Sequence, residues 1–159
     1  MTSPEIIEVP ALRAVGASIR TSNQAQIEAK PGQGPISTLW QTFTDLDVGK
    51  RVPNPHVSGE VVAIYHDYES DATGDYTLTI GLRVTSLHQV PKGLEGIEVP
   101  FQRYARFPVE GPPDTAIPGA WQAVQETDLD RACTFDLEIY QPDSTAEMVK
   151  AEILVALND

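Results

Sequence analysis

Residues 134–140, Thr-Phe-Asp-Leu-Glu-Ile-Tyr, alternate strictly between two kinds of side chain. A period of two belongs to a β-strand, so Phe135, Leu137 and Ile139 face one way while Asp136, Glu138 and Tyr140 face the other. The apolar face calls for a core, and the opposite face presents a carboxylate beside a phenol. On one strand alone, a glutamate is ordinarily a solvated surface residue. The rest of the chain changes that reading.

With 159 residues and 41% apolar composition, the chain suits one domain with an ordinary core, taken here as residues 1–159. No run approaches the roughly 18 consecutive apolar residues of a membrane span, and the first residues lack a basic segment followed by an apolar stretch. A cytoplasmic protein with no membrane partner is expected. Cys133 is the sole cysteine, so an intrachain disulfide or thiolate zinc site is excluded and a buried thiol is expected. No cofactor is implied. The 23 acidic against 11 basic residues give a formal charge of -12, which repels phosphate backbones and favours small cations near the surface. Nucleic acid is therefore not an expected partner. Oligomeric state is left open between monomer and dimer.

Residues 6–18 are rich in β-branched side chains and read as a first strand, with Pro10 suited to an edge or bulge. Residues 21–34 read as a long connection. Pro35 opens a helix to about residue 46, along which Ile36, Leu39, Trp40 and Phe43 form one stripe. Residues 60–68 and 76–84 read as a hairpin whose turn holds Gly74. The acidic residues Asp67, Glu69, Asp71 and Asp75 there lack calcium-loop spacing, so no metal is expected. Residues 97–107 read as another long strand. Thr115 can cap a second helix to about residue 128, with Pro118 in its first turn and Ile117, Ala120, Trp121 and Val124 on its stripe. Residues 134–140 and 150–158 complete the chain as strands. His56, His66 and His88 are expected at the surface, with His66 on the far side of its strand from Tyr65.

The two halves match in order. Val9-Pro10-x-x-Arg13 parallels Val99-Pro100-x-x-Arg103, Ile36-x-x-x-Trp40-Gln41-x-Phe43 parallels Ile117-x-x-x-Trp121-Gln122-x-Val124, and Ile64-Tyr65 parallels Ile139-Tyr140. The pattern fits an α+β fold made of a duplicated β-α-β-β unit, with repeats at about 1–88 and 94–159, antiparallel sheets and two main helices about a pseudo-twofold axis and a central cleft. Counting back two residues makes Ala63 the counterpart of Glu138, so one carboxylate is unmatched. Asp136 has Val61 as its counterpart, which suggests a rim or outer wall. A cleft with aromatics from both halves and one unmatched acid suits a single asymmetric cationic molecule. Tryptophans on an apolar helical stripe ordinarily serve as core.

These residues together resemble the GyrI-like effector-binding domains of AraC- and MerR-type multidrug regulators, and within them most closely the standalone integron-cassette effector-binding proteins. The resemblance is carried by Gly16 with Arg20-Thr-Ser-Asn23, Ile36-x-x-Leu-Trp40, Tyr65-x-Asp-Tyr68-Glu-Ser-Asp71-x-x-Gly-Asp-Tyr76, Ile97-x-Val-Pro, Tyr104-Ala-x-Phe107, Trp121 and Asp136-Leu-Glu138-Ile-Tyr140. It implies a paired β-α-β-β fold (an SHS2-like pair) whose cleft binds large cationic or aromatic effectors through a buried glutamate, here Glu138. Leu137 stands where the family commonly has Phe, and Ala11, Leu12 and Ala14 where it commonly has an aromatic. No separate DNA-binding module is expected within residues 1–159.

The expected ligand-binding residues are Glu138, Tyr140, Tyr65, Trp121, Tyr104, Trp40 and Phe107, with a small cationic or aromatic molecule as partner. Two rival functions follow from the same residues and the same resemblance. One is a hydrolase of strained, cyclopropane-bearing electrophiles with Glu138 as its acid or base, for which no second catalytic group is evident. The other is an acidic protein-interaction module of the inhibitor type.

Overall fold

The computed structural model describes residues 4–28, 34–71, 73–145 and 147–158. The elements are β1 (Glu5–Val9), β2 (Leu12–Ser22), α1 (Asn23–Glu28), α2 (Pro35–Asp45), α3 (Val48–Arg51), β3 (Val61–His66), β4 (Asp75–Val84), β5 (Glu95–Val99), β6 (Gln102–Gly111), α4 (Pro113–Glu126), β7 (Asp136–Tyr140) and β8 (Val149–Ala156). All eight strands form one antiparallel sheet in the order β1-β6-β8-β7-β3-β4-β2-β5. The fold class is α+β, built from two copies of a strand-helix-strand-strand unit.

Several boundaries differ from the sequence reading. The first strand divides at Pro10 into β1 and β2, and its counterpart divides at Pro100 into β5 and β6. Proline cannot donate to a ladder, and here it turns the chain instead of sitting inside a bulge. The division lets the halves exchange their leading strands: β1 pairs with β6 of the second half, and β5 pairs with β2 of the first. The sequences of the exchanged strands repeat, Glu5-x-Ile7-Glu8-Val9-Pro10 against Glu95-x-Ile97-Glu98-Val99-Pro100. The expected connection at 21–34 contains α1, with residues 29–33 outside those described. Finally α4 starts at Pro113, two residues before the expected cap at Thr115. Proline is favoured at a helix's first position. Pro118 consequently lies inside the helix rather than in its first turn.

One face of the sheet closes on itself. Leu12 and Ala14 of β2 share a cluster with Tyr104 of β6, Val62 and Ile64 of β3, Leu137 and Ile139 of β7 and Leu154 of β8. Strands β2 and β6 are far apart in the sheet order, so the sheet must curl to bring them together. The other face carries the helices: Leu39 of α2 packs over Ala63, Tyr65, Leu78 and Ile80, and Val124 of α4 over Val109, Val149 and Ile153. The backbones approach closely where Gly16 and Gly81 pair, and a Cβ on Gly16 would lie 2.0 Å from the Ile80 carbonyl oxygen. Gly16→Ala is expected to destabilise the protein by about 3 kcal/mol, the upper end for overpacking, measured by urea denaturation.

Candidate functional site

Strand β7 aims Glu138 at the helix-bearing face, and Ala63 is its direct partner across the β3–β7 ladder. The repeat makes Ala63 and Glu138 counterparts, so the pseudo-twofold axis passes between them. Tyr65 pairs with Asp136 and Val61 with Tyr140, symmetrically on either side. Directly opposed residues stand about 5 Å apart at Cβ, so the small Ala63 methyl leaves space for the carboxylate.

Glu138 is only 3% exposed. Its Oε2 accepts from the Tyr65 hydroxyl at 2.8 Å and from Trp121 Nε1 at 2.7 Å, and its Oε1 accepts from the Tyr140 hydroxyl at 2.5 Å. Tyr140 reaches it because residues i and i+2 of a strand share a face. Burial, and then the Glu138 charge, hold both phenols well above the ordinary tyrosine range, so both remain O–H donors. Burial followed by Glu138 likewise raises Tyr76, to about 12.

The rings around the carboxylate form two pairs related by the axis. Trp121 of α4 meets Tyr65 edge-on at 5.3 Å, and Trp40 of α2 meets Tyr140 edge-on, also at 5.3 Å. Each tryptophan thus reaches the tyrosine of the other half. The row extends outward from Tyr65 to Tyr76 at 5.4 Å and from Tyr76 to Tyr68 at 5.9 Å.

A second carboxylate, Asp136, lies at the end of that row and is fully buried. Its Oδ2 accepts from Tyr68 at 2.5 Å and from Arg131 Nη2 at 2.9 Å, and its Oδ1 accepts from the Ala156 backbone N–H at 2.9 Å. Burial and then Asp136 keep the Tyr68 phenol protonated.

Residues 5–157 match the family described as Cass2, integron-associated effector binding protein. The chain belongs to that family. A Bacillus subtilis (strain 168) protein named as a candidate transcriptional regulator, YobU, is 26% identical over 149 residues, 91% of each chain. Among solved structures, an integron cassette protein from the mobile metagenome of Vibrio cholerae superposes with a TM-score of 0.74 at 24% identity, covering 96% of this chain and 95% of that one. The structure of SAV2435 bound to tetraphenylphosphonium gives a TM-score of 0.75 at 15% identity, covering 99% and 94%. These superpositions establish the fold, and membership in the Cass2 family gives effector binding as the general function. No helix among the described residues is long and apolar enough to cross a membrane.

In this Cass2-family protein, five of the seven expected site residues come together: Glu138, Tyr65, Tyr140, Trp121 and Trp40. Phe107 packs near them in the α4-side cluster that also takes Trp121 and Tyr140. Tyr104 lies in the core of the opposite face, its hydroxyl buried without a hydrogen-bond partner among the described residues. Asp136 departs from the expected rim position because Arg131 and Tyr68 reach it from loops that the repeat does not relate. The alternation that placed Asp136 on the face of Glu138 was the available signal, and likewise Tyr76 begins an alternation with Leu78 and Ile80. His66 is on the far side from Tyr65, as expected, but is buried instead of exposed. It stacks on Phe135 and bonds Thr79 Oγ1 at 2.9 Å through Nε2. Cys133 is half-buried.

Two stability effects follow from these buried polar groups. Arg131→Met leaves Asp136 buried without its cation and is expected to cost about 3–5 kcal/mol in urea denaturation, with much of the loss recovered in Arg131→Met/Asp136→Leu. Desolvation lowers the His66 pKa, against the opposing pull of Asp67. The unfolded chain, titrating near the ordinary histidine value of about 6.5, therefore binds more protons at mildly acid pH than the folded one. Stability should fall as pH drops through about 6.5, with a shallower slope in His66→Gln, read from urea midpoints between about pH 7.5 and 5.5.

Proposed function

We propose that this protein binds an organic cation with an aromatic or delocalised skeleton, held by the Glu138 carboxylate and by Tyr65, Trp121, Tyr140 and Trp40. The observation that carries the reading is the contrast between two buried carboxylates. Asp136 has a guanidinium at 2.9 Å, whereas Glu138 has three neutral donors and no ion pair among the described residues. Neutral donors stabilise a buried negative charge without cancelling it, and the field that remains favours a cation, most strongly where water is excluded.

The surroundings suit the same ligand. A cation over an aromatic face gains about 0.5–2 kcal/mol depending on desolvation, and four rings border the carboxylate. The formal charge of -12 raises the local concentration of cations. Tetraphenylphosphonium in the related SAV2435 structure is a cation of this class. In this reading residues 1–159 act as one domain, the ligand lies between repeats at about 1–88 and 94–159, Phe107 backs the α4 wall and Tyr104 supports the sheet from behind.

Isothermal titration with tetraphenylphosphonium and with tetraphenylborate, an anion of the same shape, tests the proposal. Wild-type protein is expected to bind the phosphonium and not the borate. Glu138→Gln should weaken the phosphonium by at least about tenfold, equivalent to about 1.4 kcal/mol. Equal binding of both ions, or unchanged affinity in a folded Glu138→Gln variant, would sink it.

A further inference from the structure

The site is close to twofold symmetric in its rings but not in its hydrogen bonds. Trp121 Nε1 donates to Glu138, while Trp40, at the same distance from its own tyrosine, makes no indole hydrogen bond among the described residues. The helices that carry the two indoles differ as well. Three and two residues before Trp121, α4 has Pro118 and Gly119; the matching positions in α2 are Ser37 and Thr38. Thr38 donates both its backbone N–H and its hydroxyl to Gly34 O. Pro118 has no N–H, so the carbonyl one turn earlier, at Asp114, loses its ladder partner. Both Pro118 and Gly119 face solvent, and a Cβ added to Gly119 would meet nothing within 4 Å. The one helix with a weak point is thus the one whose indole holds the carboxylate, and a break of this kind is where helices bend.

A cation approaching Glu138 meets three donors already in place over a buried group. Tyr65 and Tyr140 come from β3 and β7, each laddered on both sides in the middle of the sheet. Moving either would break several backbone hydrogen bonds. Trp121 sits on a helix whose ladder is already interrupted, so it can leave at the least cost.

We infer that Trp121 is an internal surrogate ligand: its indole N–H occupies Glu138 in the empty protein and gives way about Pro118 and Gly119 when a cation enters. This rests on the reading of Glu138 as the cation site. Every cation that enters displaces that hydrogen bond. An amidinium or protonated amine brings its own N–H and replaces the lost hydrogen bond, whereas a phosphonium or quaternary ammonium does not.

Protein carrying 15N-labelled tryptophan shows the test directly, with the two indole N–H signals assigned through Trp121→Phe. The Trp121 proton should exchange slowly in the empty protein and at least about tenfold faster at saturating tetraphenylphosphonium, because its buried acceptor has been taken. Trp121→Phe, which keeps the ring and loses the donor, removes the same displacement cost for every cation and should bind tetraphenylphosphonium and benzamidinium alike about fivefold more tightly. Pro118→Ala, which restores the ladder, should slow phosphonium association by about threefold or more in stopped flow. A Trp121 proton still protected in the saturated complex, Trp121→Phe weakened alike for both cations, or an unchanged association rate in Pro118→Ala overturns the inference and leaves the cation site standing. If the wild type binds neither cation, the reading of Glu138 fails and this inference falls with it.

Discussion

A residue on a twofold axis meets its own counterpart, and that constraint shapes the centre of this protein. Ala63 and Glu138 are both repeat counterparts and ladder partners, so their side chains project side by side from the same face. Glutamate at both positions would put two carboxylates within reach of each other in a buried setting. Like charges so placed cannot both stay ionised without a large penalty. One glutamate against one alanine avoids that conflict and gives the acid the space of two side chains. The asymmetry of the site is thus a consequence of symmetry in the scaffold.

The frame that holds the axis comes from the exchanged strands. Because β1 lies on β6 and β5 on β2, each half completes its sheet with a strand from the other. Separating the halves would expose both new edges, along with the apolar cluster shared by β2 and β6. The same strands manage their own exposure. Glu5 and Glu8 on β1, and Glu95 and Glu98 on β5, put charge along the free edges, with Glu98 held by Arg13 at 3.2 Å. The central β3–β7 ladder is thereby confined from both flanks.

Much of this was legible in the residues. Alternation in 134–140 placed Glu138 and Tyr140 on one face, and the matched Trp-Gln and Ile-Tyr pairs identified Trp40, Trp121, Tyr65 and Tyr140 as corresponding positions. What stayed hidden depended on contacts between segments remote in sequence. Asp136 reads as a rim residue until Arg131 and Tyr68 are seen to converge on it from separate loops. His66 reads as a surface histidine because its stacking partner, Phe135, lies just before β7, in the other half. Tyr104 has the composition of a pocket residue, but its place in β6 turns it toward the opposite core, a consequence of the division at Pro100 that a single long strand conceals.

The two buried carboxylates also divide the labour of the fold. Asp136 is closed in charge and in hydrogen bonding: a guanidinium, a phenol and a backbone N–H account for both of its oxygens. Such a group can anchor the loop after α4 to the last strand, and any change at it is felt as lost stability. Glu138 is closed in hydrogen bonding only, and every donor that serves it is an uncharged ring substituent. Those donors hold an acid in the interior while leaving its charge unspent, which a guanidinium would not allow. Replacing Trp121 by arginine would build a second Asp136 and end the difference, and that difference is why one acid belongs to the scaffold and the other to the site.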